Sequence, residues 1–161
     1  GVEREELIAD AVLAGLNQVG AGSDRPERAF LVRNLIGVDP RNGAVAVADR
    51  VRAGQNVQFQ LREAQASRME ARQLLQKRRD QGGDATPLMG VLFACLGRGD
   101  GLFGSPDGDV NIARNVFPQL PVAGSFCNGE IGPLGGTTHL HGYTACWGLL
   151  RCDAASGENQ S

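Results

Sequence analysis

From Thr86 to Arg151 the chain alternates short apolar runs with glycine, and this punctuation constrains the fold more than any other feature. "TPLMGVLFACLG" reads as a buried strand, "DVNIARNVF" as a short helix, "PVAGSFCNGEIGP" as a strand and "THLHGYTACWGLLR" as a final strand. Glycine at the ends of strands and within them marks a bulge or a close backbone approach, so a binding site is expected in this half.

The first half is read from periodicity. Ile8, Val12, Leu16 and Val19 recur at helical spacing behind acidic Glu3, Glu5 and Glu6, which predicts an amphipathic helix over 3–19. "AGSDRPER" supplies loop residues. "AFLVRNLIGV" and "AVAVAD" flank the turn formers of "DPRNG" and predict a hairpin. A turn near Gly54 leads into "NVQFQLRE", where Val57, Phe59 and Leu61 alternate with polar residues as in a half-exposed strand. Ala64 to Arg79 is rich in good helix formers without glycine or proline, and Gly82-Gly83 ends that helix. Its basic residues, Arg68, Arg72, Lys77, Arg78 and Arg79, read as a solvated face rather than a nucleic-acid patch. The order of elements predicts an α/β (mixed α+β) fold, predominantly one mixed sheet of about six strands with about three helices packed on it. A single domain over 1–153 and a disordered tail over 154–161 are expected.

The length, 161 residues, suits one domain, and a net charge of −2 gives no electrostatic reason for a nucleic-acid or anionic-membrane partner. No apolar run reaches bilayer length and no leader pattern is visible, so a cytoplasmic protein is expected. A start at Gly1 rather than Met points to a piece of a longer chain. The four cysteines form no C-x-x-C pair, and three of them sit in apolar strand-like runs as small hydrophobes. Reduced thiols are the expectation in the cytosol.

Gly99-x-Gly101-x-x-Gly104 has the spacing of a dinucleotide loop, but turn residues Ser105-Pro106-Asp107-Gly108 follow where the phosphate-binding helix must begin. The motif fails its context. His139-x-His141 shares a strand with Tyr143 and Trp147, and alternation puts all four on one face. With Cys127 or Glu130 the histidines are suitable ligands for zinc, although no second pair fixes such a site. Cys127 with a histidine base also makes a nucleophile reading, but no third group orients the base, and no enzyme is expected. Glu130, between two glycines in an apolar context, must find donors if buried. Arg98 is the candidate partner, as a structural ion pair or in ligand recognition.

Together "GVLFACLGRGDGLFG", "PVAGSFCNGEIGP" and "THLHGYTA" resemble the C-terminal domain of the FIST family of sensory proteins, and "FLVRNLIGVDPRNGAVAVADRVRAGQNVQFQLRE" looks like that domain's opening hairpin region. The resemblance implies a non-catalytic sensory and signal-transduction module that binds a small molecule such as an amino acid. It also implies partners: an upstream FIST N domain or an associated signalling protein. Some family members are linked to haem, so haem or zinc at His139, His141 and Cys127 is the alternative to a cofactor-free site. A protein-interaction scaffold is a further alternative. The expected ligand residues are Arg98, Gly99, Phe103, Cys127, Asn128, Gly129, Glu130, His139, His141 and Thr144. In this picture Arg98 receives a ligand carboxylate or holds Glu130, and Glu130 receives a ligand ammonium.

Overall fold

The computed structural model describes residues 12–17, 30–83 and 85–152. The expected loop over 21–28, most of the expected helix over 3–19 and the expected tail over 154–161 lie outside the described residues. The fold is mixed α+β, as expected, but its nine described strands fall into three sheets rather than one sheet of six. The chain divides into two compact units, one running to Glu63 and including Gly129–Tyr143, the other comprising Ala64–Asn128 and the chain from Thr144.

In the first unit an antiparallel sheet has the order β3-β2-β1-β4, with β1 at Val12–Asn17, β2 at Phe30–Asp39, β3 at Ala44–Val47 and β4 at Val57–Leu61. Residues 12–17 are therefore strand, not helix. The apolar run Val12-Leu13-Ala14 carries no period of its own, and the i, i+4 match of Val12 with Leu16 is compatible with either structure. Neighbours on both sides decide the matter, since β2 and β4 both pair with β1 and leave Leu13, Ala14 and Leu16 buried. The β2–β3 hairpin forms where expected. Gly43, at φ 71°, donates its N–H to Asp39 O at 2.8 Å, and Asn42 Oδ1 accepts from Ala44 N at 2.9 Å. In β4 the expected half-exposed pattern is absent: Val57, Phe59 and Leu61 are exposed together with Gln58, and Gln60 alone is half-buried. A second hairpin, β7 at Glu130–Leu134 and β8 at Thr137–His141, completes the described strands of this unit.

In the second unit β5, Met89–Cys95, lies between β6, Val122–Cys127, parallel to it, and β9, Ala145–Leu150, antiparallel. Three helices accompany this sheet: α1 at Ala64–Gln81, α2 at Asp100–Phe103 and α3 at Gly108–Val116. A parallel pair needs a crossover, and α2 and α3 supply it between β5 and β6. The core joins Leu75 of α1 to Phe103, Ile112, Ala113, Val116, Phe117 and Leu120, with Trp147 and Leu149 packed against it. Leu75 is the sole buried residue of α1, while Met69 and Leu74 are exposed.

Two of the expected strands are broken. "PVAGSFCNGEIGP" turns at Asn128-Gly129 into β6 and β7, and "THLHGYTACWGLLR" breaks at Gly142–Thr144 into β8 and β9. Tyr143 stands in the break at φ 61°, a left-handed conformation that ends a ladder. His139 and His141 therefore do not share one strand face with Tyr143 and Trp147; Trp147 belongs to the other unit.

Glycine is obligatory at Gly124, where a Cβ would collide with the carbonyl of Leu92, its register partner on β5. Gly124→Ala should lower stability by about 1–3 kcal/mol through overpacking, read as the shift of a denaturant midpoint. Gly101→Ala, where a Cβ meets nothing within 4 Å, should leave the midpoint nearly unchanged.

In the first unit Arg33 Nε donates to Asp49 Oδ2 at 2.7 Å. Burial works to raise the Asp49 carboxyl, but the hydrogen bonds from Arg33 and the Arg50 backbone, with the nearby charges of Arg33 and Arg52, hold it below its ordinary value. A depressed carboxyl contributes stability above its unfolded value and loses that contribution as pH falls through the folded one. Asp49→Asn should therefore flatten the acid limb of a stability-versus-pH profile, by less than about 1 kcal/mol because the pair is partly solvated.

Candidate functional site

The carboxyl ends of β5 and β6 open into a cleft of about 490 Å³ within the second unit. Register explains its floor. Leu92 pairs with Gly124, Ala94 with Phe126 and Gly90 with Val122, so these side chains share the face of the sheet that the helices cover. Leu92, Ala94, Val122, Gly124 and Phe126 line the cleft, and the missing side chain at Gly124 leaves its floor open. One wall is the 3-10 turn of Leu96–Arg98 with Gly99 and Asp100, where the chain leaves β5. The other is Pro106–Val110, the entry to α3.

Those two walls are joined by a buried ion pair. Arg98 Nε donates to Asp109 Oδ2 at 2.9 Å and Arg98 Nη2 to Asp109 Oδ1 at 2.7 Å, a bidentate fork with both side chains about nine-tenths buried. The guanidinium carbon also stands 5.5 Å from the Phe103 ring centroid. From α1, the Arg68 guanidinium lies 5.0 Å from the same centroid, and its Nη2 donates to Phe103 O at 2.8 Å. Phe103 is thus held by two cations as well as by the core. Gly108 opens α3 directly beside this ring, where a Cβ would strike Phe103. As expected, the glycine loop is not followed at once by a long helix; the helix of this wall starts at Gly108, after the Ser105–Asp107 turn.

The expected site residues separate into two groups. Arg98 and Gly99 line the cleft, and Phe103 is buried in the core next to it. Cys127 ends β6 on the face opposite Phe126, with Sγ 3.7 Å from Ser125 O, and exposed Asn128 follows it. Thr144 accepts through its carbonyl from Cys95 N at 2.9 Å. Gly129, Glu130, His139 and His141 belong to the β7–β8 hairpin of the first unit. There Glu130 pairs in register with His141, and Gly132 with His139. Glu130 is 1% exposed, and its Oε1 accepts from Gly129 N at 3.3 Å. His141 Nε2 donates to Gly132 O at 3.0 Å, and the two imidazole rings meet edge to face at 6.4 Å.

The arginine fork goes to Asp109, a partner that the sequence reading did not name, and Glu130 belongs to the first unit. Nothing in local sequence ranks two carboxylates as partners for one arginine; the crossover between β5 and β6 does. Sequence reasoning also passed over Asp100, Asp107 and Asp109, whose signal was their place in the turn-rich stretch between the glycine loop and a helix. Among the described residues no three His, Cys, Asp or Glu side chains gather as a metal-ligand set.

The cleft lies at the carboxyl ends of two parallel strands with a helix N-terminus on its rim, the place at which open α/β sheets hold ligands. The comparisons name the family: the model of the FIST C domain matches residues 1–133, and the chain belongs to that family, which is associated with sensory signal transduction. An uncharacterized protein of Mycobacterium tuberculosis is 41% identical over 121 residues, 75% of this chain and 31% of its own length. An uncharacterized protein of Mycobacterium bovis is 37% identical over 123 residues, again 75% of this chain and 31% of its own length. An F-box/LRR-repeat protein of Arabidopsis thaliana is 50% identical over 42 residues, 25% of this chain and 8% of that protein. The chain thus spans about 31% of the length of the mycobacterial relatives. Among the described residues no helix is long and apolar enough to cross a membrane.

Breaking a buried ion pair strands a charge, so Arg98→Met and Asp109→Leu should each cost about 3–5 kcal/mol. The double variant should recover a large part of that loss in a denaturant-based double-mutant cycle. Losses that simply add would show that the two side chains do not act as a pair.

Proposed function

We propose that this chain is the non-catalytic ligand-binding part of a sensory protein, and that its cleft takes a small zwitterion of the amino-acid type. The cleft carries the reading, because a volume of about 490 Å³ over an apolar floor suits a small organic molecule and is generous for an amino acid. The Arg98–Asp109 fork is internally neutral. The charges left to meet a ligand are the exposed carboxylates of Asp100 and Asp107 and the positive end of the α3 dipole. An ammonium group fits the carboxylates, a carboxylate fits the first turn of α3, and an apolar side chain fits Leu92 and Phe126. This arrangement replaces the expected division of labour between Arg98 and Glu130. Occupancy is then passed to an upstream FIST N domain or an associated signalling protein.

Native mass spectrometry of freshly purified protein, followed by calorimetry with a panel of free amino acids, tests the reading. Saturable binding without turnover is expected, weakened about tenfold or more by Asp100→Asn or Asp107→Asn, the scale of one lost charge-assisted hydrogen bond. A bare mass with no binding across the panel would remove the amino-acid reading. A retained haem mass would replace it.

A further inference from the structure

The back of the same sheet carries a feature that the ligand reading does not use. Cys95 and Cys127 are the last residues of β5 and β6, and they are register partners on parallel strands. Ala94 and Phe126 face the cleft, so alternation turns both cysteines to the opposite face, where each is a free, half-buried thiol. Neighbouring strands lie about 4.8 Å apart, inside the Cα range of about 4.4–6.8 Å that a disulfide spans. No other pair of cysteines in this unit is so placed. Cys146 stands opposite Phe93 on β9, a diagonal step from Cys95, and Cys152 lies beyond the end of that strand.

We propose that Cys95 and Cys127 are a site of reversible oxidation, closing to an intramolecular disulfide with a small-molecule disulfide such as glutathione disulfide as co-substrate. One cysteine thiolate attacks a sulfur of glutathione disulfide, forming a mixed disulfide and expelling glutathione thiolate. The second cysteine thiolate attacks the protein sulfur of that mixed disulfide and expels the second glutathione. The protein loses two electrons and two protons, and one glutathione disulfide becomes two glutathione molecules. Parallel, in-register side chains stand nearly a full strand spacing apart, whereas a disulfide prefers Cβ atoms about 3.5–4.5 Å apart, so the bridge pulls the strand ends together. A bond made under strain is more oxidising and more easily reduced, which suits a reversible modification rather than a permanent staple. The bridge lies directly behind Ala94 and Phe126 of the cleft floor.

The test is equilibration of the full chain in a glutathione redox buffer, alkylation of the remaining thiols, and peptide mapping of the monomer by mass spectrometry. The expected result is loss of two of the four alkylatable thiols and a peptide joining Cys95 to Cys127, both reversed by dithiothreitol. Cys95→Ser and Cys127→Ser, near-isosteric changes, should each abolish the joined peptide. Mixed glutathione disulfides alone, a bridge through Cys146 or Cys152, or four thiols that stay alkylatable would each overturn the proposal. None of these outcomes depends on whether the cleft binds an amino acid.

Discussion

The Arg98–Asp109 fork is the interaction on which the cleft depends. Each partner is expensive to bury alone, so each fixes the position of the other, and their positions are the two walls. Arg98 ends the turn that leaves β5, and Asp109 stands in the first turn of α3, where a carboxylate also meets the positive end of the helix dipole. Phe103, between them in sequence, is packed under both Arg98 and Arg68. A hydrophobic contact in the same place would hold the walls together less specifically, because it accepts many geometries and a bidentate fork accepts few.

The parallel β5–β6 pair gives this site its two sides. Since alternate residues point in opposite directions, one register sets both an apolar cleft floor and a thiol-bearing back face. Gly124 matters to both. It admits the close approach of the Leu92 carbonyl that the register requires, and it leaves the cleft floor open. A bond formed between the cysteines behind this floor would act on strands whose other face lines the cleft.

Much of the local structure was legible. The hairpin around Pro40–Gly43, the helix from Ala64 and the strand Met89–Cys95 follow from turn chemistry, helix propensity and apolar run length, which act over a few residues. Misses occurred where distant partners decided. Val12–Asn17 became a strand because two others flank it, and the histidines parted from Trp147 because the ladder breaks over Gly142–Thr144 and the chain then enters another unit. Within the candidate site, Arg98 and Gly99 were found from the glycine loop, while Asp109 was missed because its importance lies in a contact made across the crossover.

The sequence by itself determined membership of the FIST C family, the mixed α+β class, and the glycine-rich segment in which the cleft lies, because motifs, composition and turn residues are properties of adjacent positions. Tertiary structure alone decided that Arg98 pairs with Asp109, that Glu130 and the two histidines belong to a different unit from the cleft, and that Cys95 stands beside Cys127. These are matters of strand register and chain crossing. A shift of one residue would reverse every face, and only the packing of the whole sheet against its helices fixes which register forms.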